Sequence, residues 1–179
     1  DSRELFSDLE ISRNATFEKY LNHYDVIYLD ITLFLSTMKQ DDTLVEQMER
    51  EIIEDLAKAY PVVKGQSKLL DALCMIYKIT GEKIILIIDE WDAMFRECKG
   101  KETILDSYIL LLRSLFKSSL TDQLFAGVYM TGILPIKKYG HESAVSDFYE
   151  YSMVEPRPLQ EYIGFTTEEV KSLCQKYDK

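Results

Sequence analysis

The stretch KIILIIDEWDAMF, Lys83 to Phe95, joins an aliphatic run directly to a cluster of acids. Five aliphatic residues at positions 84–88 end in Asp89 and Glu90, and Asp92 follows two positions later. A short aliphatic run of this length is typical of a buried strand in a parallel sheet. The acids would then stand at the end of that strand, where they can be solvated or can hold a ligand.

Two further segments resemble this strand, and helical patterns separate all three. Residues 25–32 (DVIYLDIT) and 124–130 (LFAGVYM) are short and apolar, like residues 83–88. Helices are predicted between them from apolar residues at intervals of three and four, over 43–60, 66–79 and 102–120, with another over TTEEVKSLCQKY capped by Thr166 or Thr167. Strands that alternate with helices predict an α/β fold, in which helices cover both faces of a parallel sheet and make three layers.

The strand ends of such a sheet predict where chemistry would occur. In open parallel sheets ligands bind beyond the carboxyl ends of the strands, so Asp89, Glu90 and Thr131 should share one crevice. There Asp89 could hold Mg²⁺ directly or through water, and Glu90 could activate a water for attack on a phosphoryl group. Thr131 could position that water or the terminal phosphate. The alternative is a solvated turn in which the acids serve only as caps.

The same residues carry a resemblance to a known family. The run IILIIDE resembles the Walker B strand of P-loop ATPases, and IIDEWDAMF, VYMTGILPI and GFTTEEVKSLC are together similar to the bacterial predicted AAA-ATPase-like family. The likeness extends from SRELFSDLEI through GFTTEEV. It implies a three-layer sheet of P-loop NTPase type and an ATPase that uses ATP and Mg²⁺. By that resemblance Asp89 organises Mg²⁺, Glu90 activates water, Thr131 is the sensor, and Asp92 belongs to a D-E-[YW]-D motif.

One element of such a site is missing from the 179 residues. No G-x-x-x-x-G-K-[ST] loop occurs, and the nearest stretch, VVKGQSKLL at 62–70, reads as a loop and a helix start. In the family the phosphate loop precedes the segment that resembles SRELFSDLEI, so we expect residues 1–179 to be a partial domain that begins after it and binds ATP poorly alone. The strand 124–130 would then leave a sheet edge open to self-association unless residues such as 149–154 fill it.

Composition limits the classes of partner. A net charge of −10, from 21 basic and 31 acidic residues, does not indicate a nucleic-acid surface on this segment. The three cysteines lack zinc-site spacing, and no apolar run reaches the length of a membrane span, so we expect a cytoplasmic protein. Lys137 and Lys138 could face phosphate, although a solvated pair is favoured.

Two other functions stay open at this point. The chain could be a regulatory module that binds nucleotide without hydrolysing it, or a protein interaction module that needs no nucleotide. A nuclease site is less favoured, because the acids lack a lysine at matching spacing. Many members of the family carry a restriction-nuclease-like domain toward the C-terminus, so we expect any nuclease activity beyond Lys179.

Overall fold

Three aliphatic segments form one parallel sheet in the computed structural model, in the order β1-β2-β3. The strands are β1 (Asp25–Asp30), β2 (Ile84–Asp89) and β3 (Phe125–Met130), so all three predicted strands are confirmed with ends shifted by one or two residues. The structure describes residues 2–133, 148–152, 154–155, 157–159 and 164–177.

Helices lie in the two connections between the strands, as is usual for the long crossovers that parallel pairing requires. The helices of the first connection are α2 (Ile31–Thr37), α3 (Leu44–Ala59) and α4 (Leu69–Thr80), and those of the second are α5 (Ala93–Glu97), α6 (Glu102–Phe116) and α7 (Thr121–Leu124). The chain before β1 holds α1 (Phe17–Tyr20), and short 3-10 helices cover Arg3–Phe6, Glu10–Arg13 and Pro61–Val63. The mixed α/β class predicted from the sequence is therefore confirmed.

The helix ends follow from local sequence. Helix α3 buries Leu44, Met48 and Ile52 on one face, and it ends just before Pro61, whose ring cannot continue a helix. Helix α4 ends at Gly81, which has a φ of +70° and takes the left-handed conformation that glycine adopts without strain. The ends predicted from the sequence, at residues 60 and 79, each lie within one residue of those observed.

The two faces of the sheet differ in burial. Ile84, Leu86 and Ile88 of β2 are buried on the face that packs into the core. The opposite face, which we call the open face, consists of Val26, Tyr28, Ile85, Ile87 and Tyr129, paired in register across the three strands. Its members on β1 and β3 are 53–56% exposed. Among the described residues, the expectation of covered faces is thus met on one face only.

Residues 147–179 form a second compact unit, separate from residues 1–146. Its described part contains a 3-10 helix at Arg157–Leu159 and α8 (Thr167–Lys176). A capping box starts α8: Glu169 N donates to Thr166 Oγ1 at 3.2 Å, and Thr166 N donates to Glu169 Oε2 at 2.7 Å. The predicted cap at Thr166 is confirmed. The described residues of 149–154, which exclude 153, contain no strand.

Within the described ranges, no helix combines the length and the apolar composition that crossing a membrane requires.

Candidate functional site

The ends of β2 and β3 bring the three predicted site residues together. Thr131 N donates to Ile88 O at 2.9 Å, and Trp91 N donates to Thr131 O at 2.9 Å. These two bonds continue the parallel pairing one step beyond β3, so Thr131 lies beside Asp89 and Glu90. The three residues thus lie together at the carboxyl edge of the sheet, as the strand pattern predicts.

Asp89 is held by a hydroxyl group on each side. Its Oδ1 accepts a hydrogen bond from the Thr131 hydroxyl, and its Oδ2 accepts one from the Tyr28 hydroxyl at 2.6 Å. These two bonds, led by that from Thr131, lower the pKa of Asp89 below its usual value. The same contact raises the pKa of Tyr28. Asp89 is therefore a charged carboxylate at neutral pH, fixed in orientation from both neighbouring strands.

Glu90 has an unusual backbone conformation. Its φ is +53°, in the left-handed region that non-glycine residues seldom adopt. Glu90 N donates to Thr131 Oγ1 at 3.2 Å, so the Thr131 hydroxyl accepts from Glu90 while donating to Asp89. Strained backbone of this kind costs of order 1–3 kcal/mol and persists where surrounding contacts determine it. The conformation turns the chain sharply at the strand end.

Arg96 pairs with the two acids that flank Trp91. One guanidinium nitrogen, Nη2, contacts Glu90 Oε2, and Nε lies 3.2 Å from Asp92 Oδ2. The Nε contact has the distance of an ion pair but not the geometry of a hydrogen bond. Sequence reasoning missed Arg96, although its position four residues after Asp92 is the spacing at which opposite charges meet on a helix.

Asp92 connects Arg96 to the loop after β3. Its side chain is completely buried, and Oδ1 accepts a hydrogen bond from Ile133 N at 3.2 Å. The sequence motif gave Asp92 no firm role. In the structure its buried side chain links α5 to residue 133 through a hydrogen bond. A buried carboxylate is stable only with such partners.

Gly132 makes room for this arrangement. A Cβ atom at this position would lie 2.7 Å from Asp92 Oδ1 and 2.7 Å from Trp91 Nε1, closer than real Cβ contacts come. Trp91 is itself buried, with its ring 5.6 Å from that of Phe95 in an edge-to-face arrangement. Thr131 therefore supplies a hydroxyl group, and the adjacent Gly132 leaves room for the side chains of Asp92 and Trp91.

Comparison with known proteins identifies the chain at the family level. A family model described as "Predicted AAA-ATPase" matches residues 1–141. The chain belongs to this AAA-ATPase-like family. The match includes the whole sheet and the DEWD segment, whereas GFTTEEVKSLC lies beyond it. Neither a curated protein nor a solved structure matches the chain significantly.

The described part of this AAA-ATPase-like chain contains no cluster of three or more His, Cys, Asp or Glu side chains that could hold a metal ion. Asp89 is the predicted Mg²⁺ ligand, and Asp30 lies directly across from it in the strand register. One or two carboxylates suit Mg²⁺, which keeps several waters and takes its other ligands from substrate phosphates.

The structure tests one of the two other lysine-containing segments that the sequence analysis considered. The loop interpretation of VVKGQSKLL is confirmed, because helix α4 begins only at Leu69 and Gly65 has a φ of +86°. The lysine of that stretch, Lys68, donates to Glu49 Oε2 at 2.9 Å. Lys137 and Lys138 lie outside the described residues.

Proposed function

We propose that this AAA-ATPase-like chain provides the metal-organising and water-activating half of an ATP hydrolysis site of P-loop NTPase type. The observation that carries the proposal is the junction at the end of β2, where Asp89, Glu90 and Thr131 are joined by hydrogen bonds. Family membership supports the ATPase assignment. The aliphatic strand ends in acids because those acids face the substrate.

The carboxylate of Asp89 fits a role toward Mg²⁺. It is charged at neutral pH, and each oxygen already accepts one hydrogen bond, which leaves room for a water of the ion's hydration shell. Mg²⁺ bound with ATP would neutralise charge on the phosphate oxygens.

Glu90 and Thr131 would act on the attacking water. Glu90 accepts its proton as the water oxygen attacks the terminal phosphoryl group, and the bond from that phosphorus to the bridging oxygen breaks, which releases ADP. The Thr131 hydroxyl, fixed between Asp89 and the Glu90 backbone, orients the water or the phosphate. Residues on two adjacent strands thereby act on one substrate.

Binding of the ATP phosphates needs backbone N–H and cationic groups of the kind that a phosphate-binding loop supplies. A G-x-x-x-x-G-K-[ST] loop is absent from the sequence, and Lys68 is engaged by Glu49. We therefore propose that these residues alone bind ATP weakly and that hydrolysis is a property of the full-length protein.

The substitution Glu90→Gln in the full-length protein tests the proposal. We expect Mg²⁺-dependent ATP binding to stay within a few-fold of the wild type, because the amide is isosteric, and kcat to fall by about 10²–10⁴, the usual contribution of a general base. Binding by fluorescence titration and single-turnover hydrolysis measure the two effects. Glu97→Gln, an exposed acid on α5, is the matched control and should leave both unchanged.

A full-length protein that neither binds nor hydrolyses ATP would overturn the assignment. The open face favours one alternative in that case: a protein interaction module that works without nucleotide, because a largely exposed apolar sheet face is a typical binding surface. A protein that binds ATP with normal affinity but shows no turnover with Glu90 intact would instead indicate a non-hydrolysing regulatory module.

A further inference from the structure

Arg96 connects the two acids of the DEWD segment through a single guanidinium group. Its Nη2 contacts the Glu90 carboxylate, and its Nε lies 3.2 Å from Oδ2 of Asp92. Arg96 is 28% exposed, Glu90 is 36% exposed and Asp92 is completely buried. The three charged side chains therefore form a row that runs from the buried Asp92 to the partly exposed Glu90.

We infer that Arg96 is the positioning residue for Glu90: it holds the water-activating carboxylate in one orientation by anchoring it to the buried Asp92. This inference rests on the proposed ATPase function and assigns a role that neither the strand pattern nor the family motif contains. Arg96 does not touch the substrate in this account. It acts only through Glu90.

The need for such a residue follows from the conformation of Glu90. Its left-handed backbone, with φ at +53°, sets the starting direction of the side chain but leaves its three side-chain torsions free. A free glutamate side chain loses rotamer entropy whenever it aligns with a water, and this loss is a cost in free energy. An ion pair formed in advance removes part of that cost and keeps the reacting atoms aligned.

Arginine suits this position better than lysine does. The planar guanidinium presents several N–H groups in fixed directions, so one side chain can contact Asp92 and Glu90 at the same time. Lysine carries a single ammonium group at the end of its chain. Arg96→Lys therefore keeps a cation next to the buried Asp92, as the fold requires, while weakening the contact with Glu90.

Four full-length proteins test the inference: wild type, Arg96→Lys, Glu90→Gln and the double variant. We expect Arg96→Lys to lower kcat by about tenfold and to leave the KM for Mg²⁺-ATP within about twofold, since only alignment is lost. In the Glu90→Gln background the same substitution should cause no further loss of kcat. Single-turnover assays make the slow variants measurable.

Arg13→Lys is the matched control. Arg13 pairs with Glu10 at 2.9 Å on an exposed 3-10 helix, so the same chemical change there should alter neither kcat nor KM. The melting temperature of each variant reports whether Arg96 supports only the fold.

The remaining outcomes are distinct. Equal losses from Arg96→Lys in both backgrounds, an unchanged kcat, or an Arg96→Lys protein that is unfolded at the assay temperature would each overturn the positioning role. An inert wild type would instead overturn the proposed function, and this inference with it. If the wild type is active and Arg96→Lys lowers kcat equally in both backgrounds, only the inference is overturned and the proposed function stands.

Discussion

At the residue scale, Gly132 is the position where the smallest change should have a large effect. In Gly132→Ala the new methyl would lie 2.7 Å from both Asp92 Oδ1 and Trp91 Nε1, two atoms of buried side chains that have little freedom to move. We expect a loss of about 1–3 kcal/mol in the free energy of unfolding, measured by urea denaturation. Gly127→Ala is the control, since nothing lies within 4 Å of a Cβ there. Equal effects at the two glycines would contradict this account.

Single residues also show what sequence could predict of the site. The proximity of Asp89, Glu90 and Thr131 was predicted because polar residues at the ends of apolar strands are visible in the sequence and parallel strands place them together. Tyr28 was missed because its contact with Asp89 depends on the register between β1 and β2, and the sequence pattern does not determine that register. Arg96 was missed because residues 93–97 form a helix too short to give a periodic pattern.

At the scale of elements, Glu49 connects two helices. It lies on α3 and is 3% exposed, and its Oε1 accepts a hydrogen bond at 2.9 Å from the backbone N–H of Leu69 in the first turn of α4. Its Oε2 accepts another from Lys68 Nζ at 2.9 Å. We expect Glu49→Ala to reduce the free energy of unfolding by about 2–3 kcal/mol, because both charge-assisted bonds are lost and a helix N–H is left without its acceptor.

The control for Glu49 is an acid on the same helix. Glu51 is exposed, so Glu51→Ala should change the free energy of unfolding by less than about 0.5 kcal/mol in the same denaturation assay. Glu49→Gln, which keeps an acceptor for the Leu69 N–H, should fall between the two. A Glu49→Ala protein as stable as Glu51→Ala would show that the bonds do not stabilise the helix pair.

Elements with clear sequence signals at their ends were predicted well, and those without such signals were not. Helix α3 was predicted within one residue at each end because of its four-residue apolar spacing and Pro61. Helix α2 was missed, since ITLFLST reads as a continuation of the strand before it. The only local signal is Asp30, whose Oδ1 accepts a hydrogen bond from Leu33 N at 2.9 Å and caps the helix.

At the scale of the whole molecule, the prediction of two covered faces rested on reading every strand as apolar throughout. That holds for β2, whose residues 84–88 are all aliphatic. Strands β1 and β3 instead place tyrosines on the open face, where Tyr28 and Tyr129 are more than half exposed. Tyrosine tolerates such a position because it joins an apolar ring to a polar hydroxyl. The burial of a face depends on what packs against it, which strand composition alone does not state.

We propose that the open face, together with the edge strand β3, drives self-association of these 179 residues. In the described part of the chain β3 pairs only with β2, and Tyr129 belongs both to that strand and to the open face. Charge on an apolar edge strand opposes pairing with another chain.

Sedimentation velocity at increasing concentration should therefore show the wild type associating and Tyr129→Lys remaining monomeric. Leu110→Lys, at a 67% exposed position on α6, should associate as the wild type does. A wild type that stays monomeric throughout, or equal effects of the two lysines, would show that this face and edge do not mediate association.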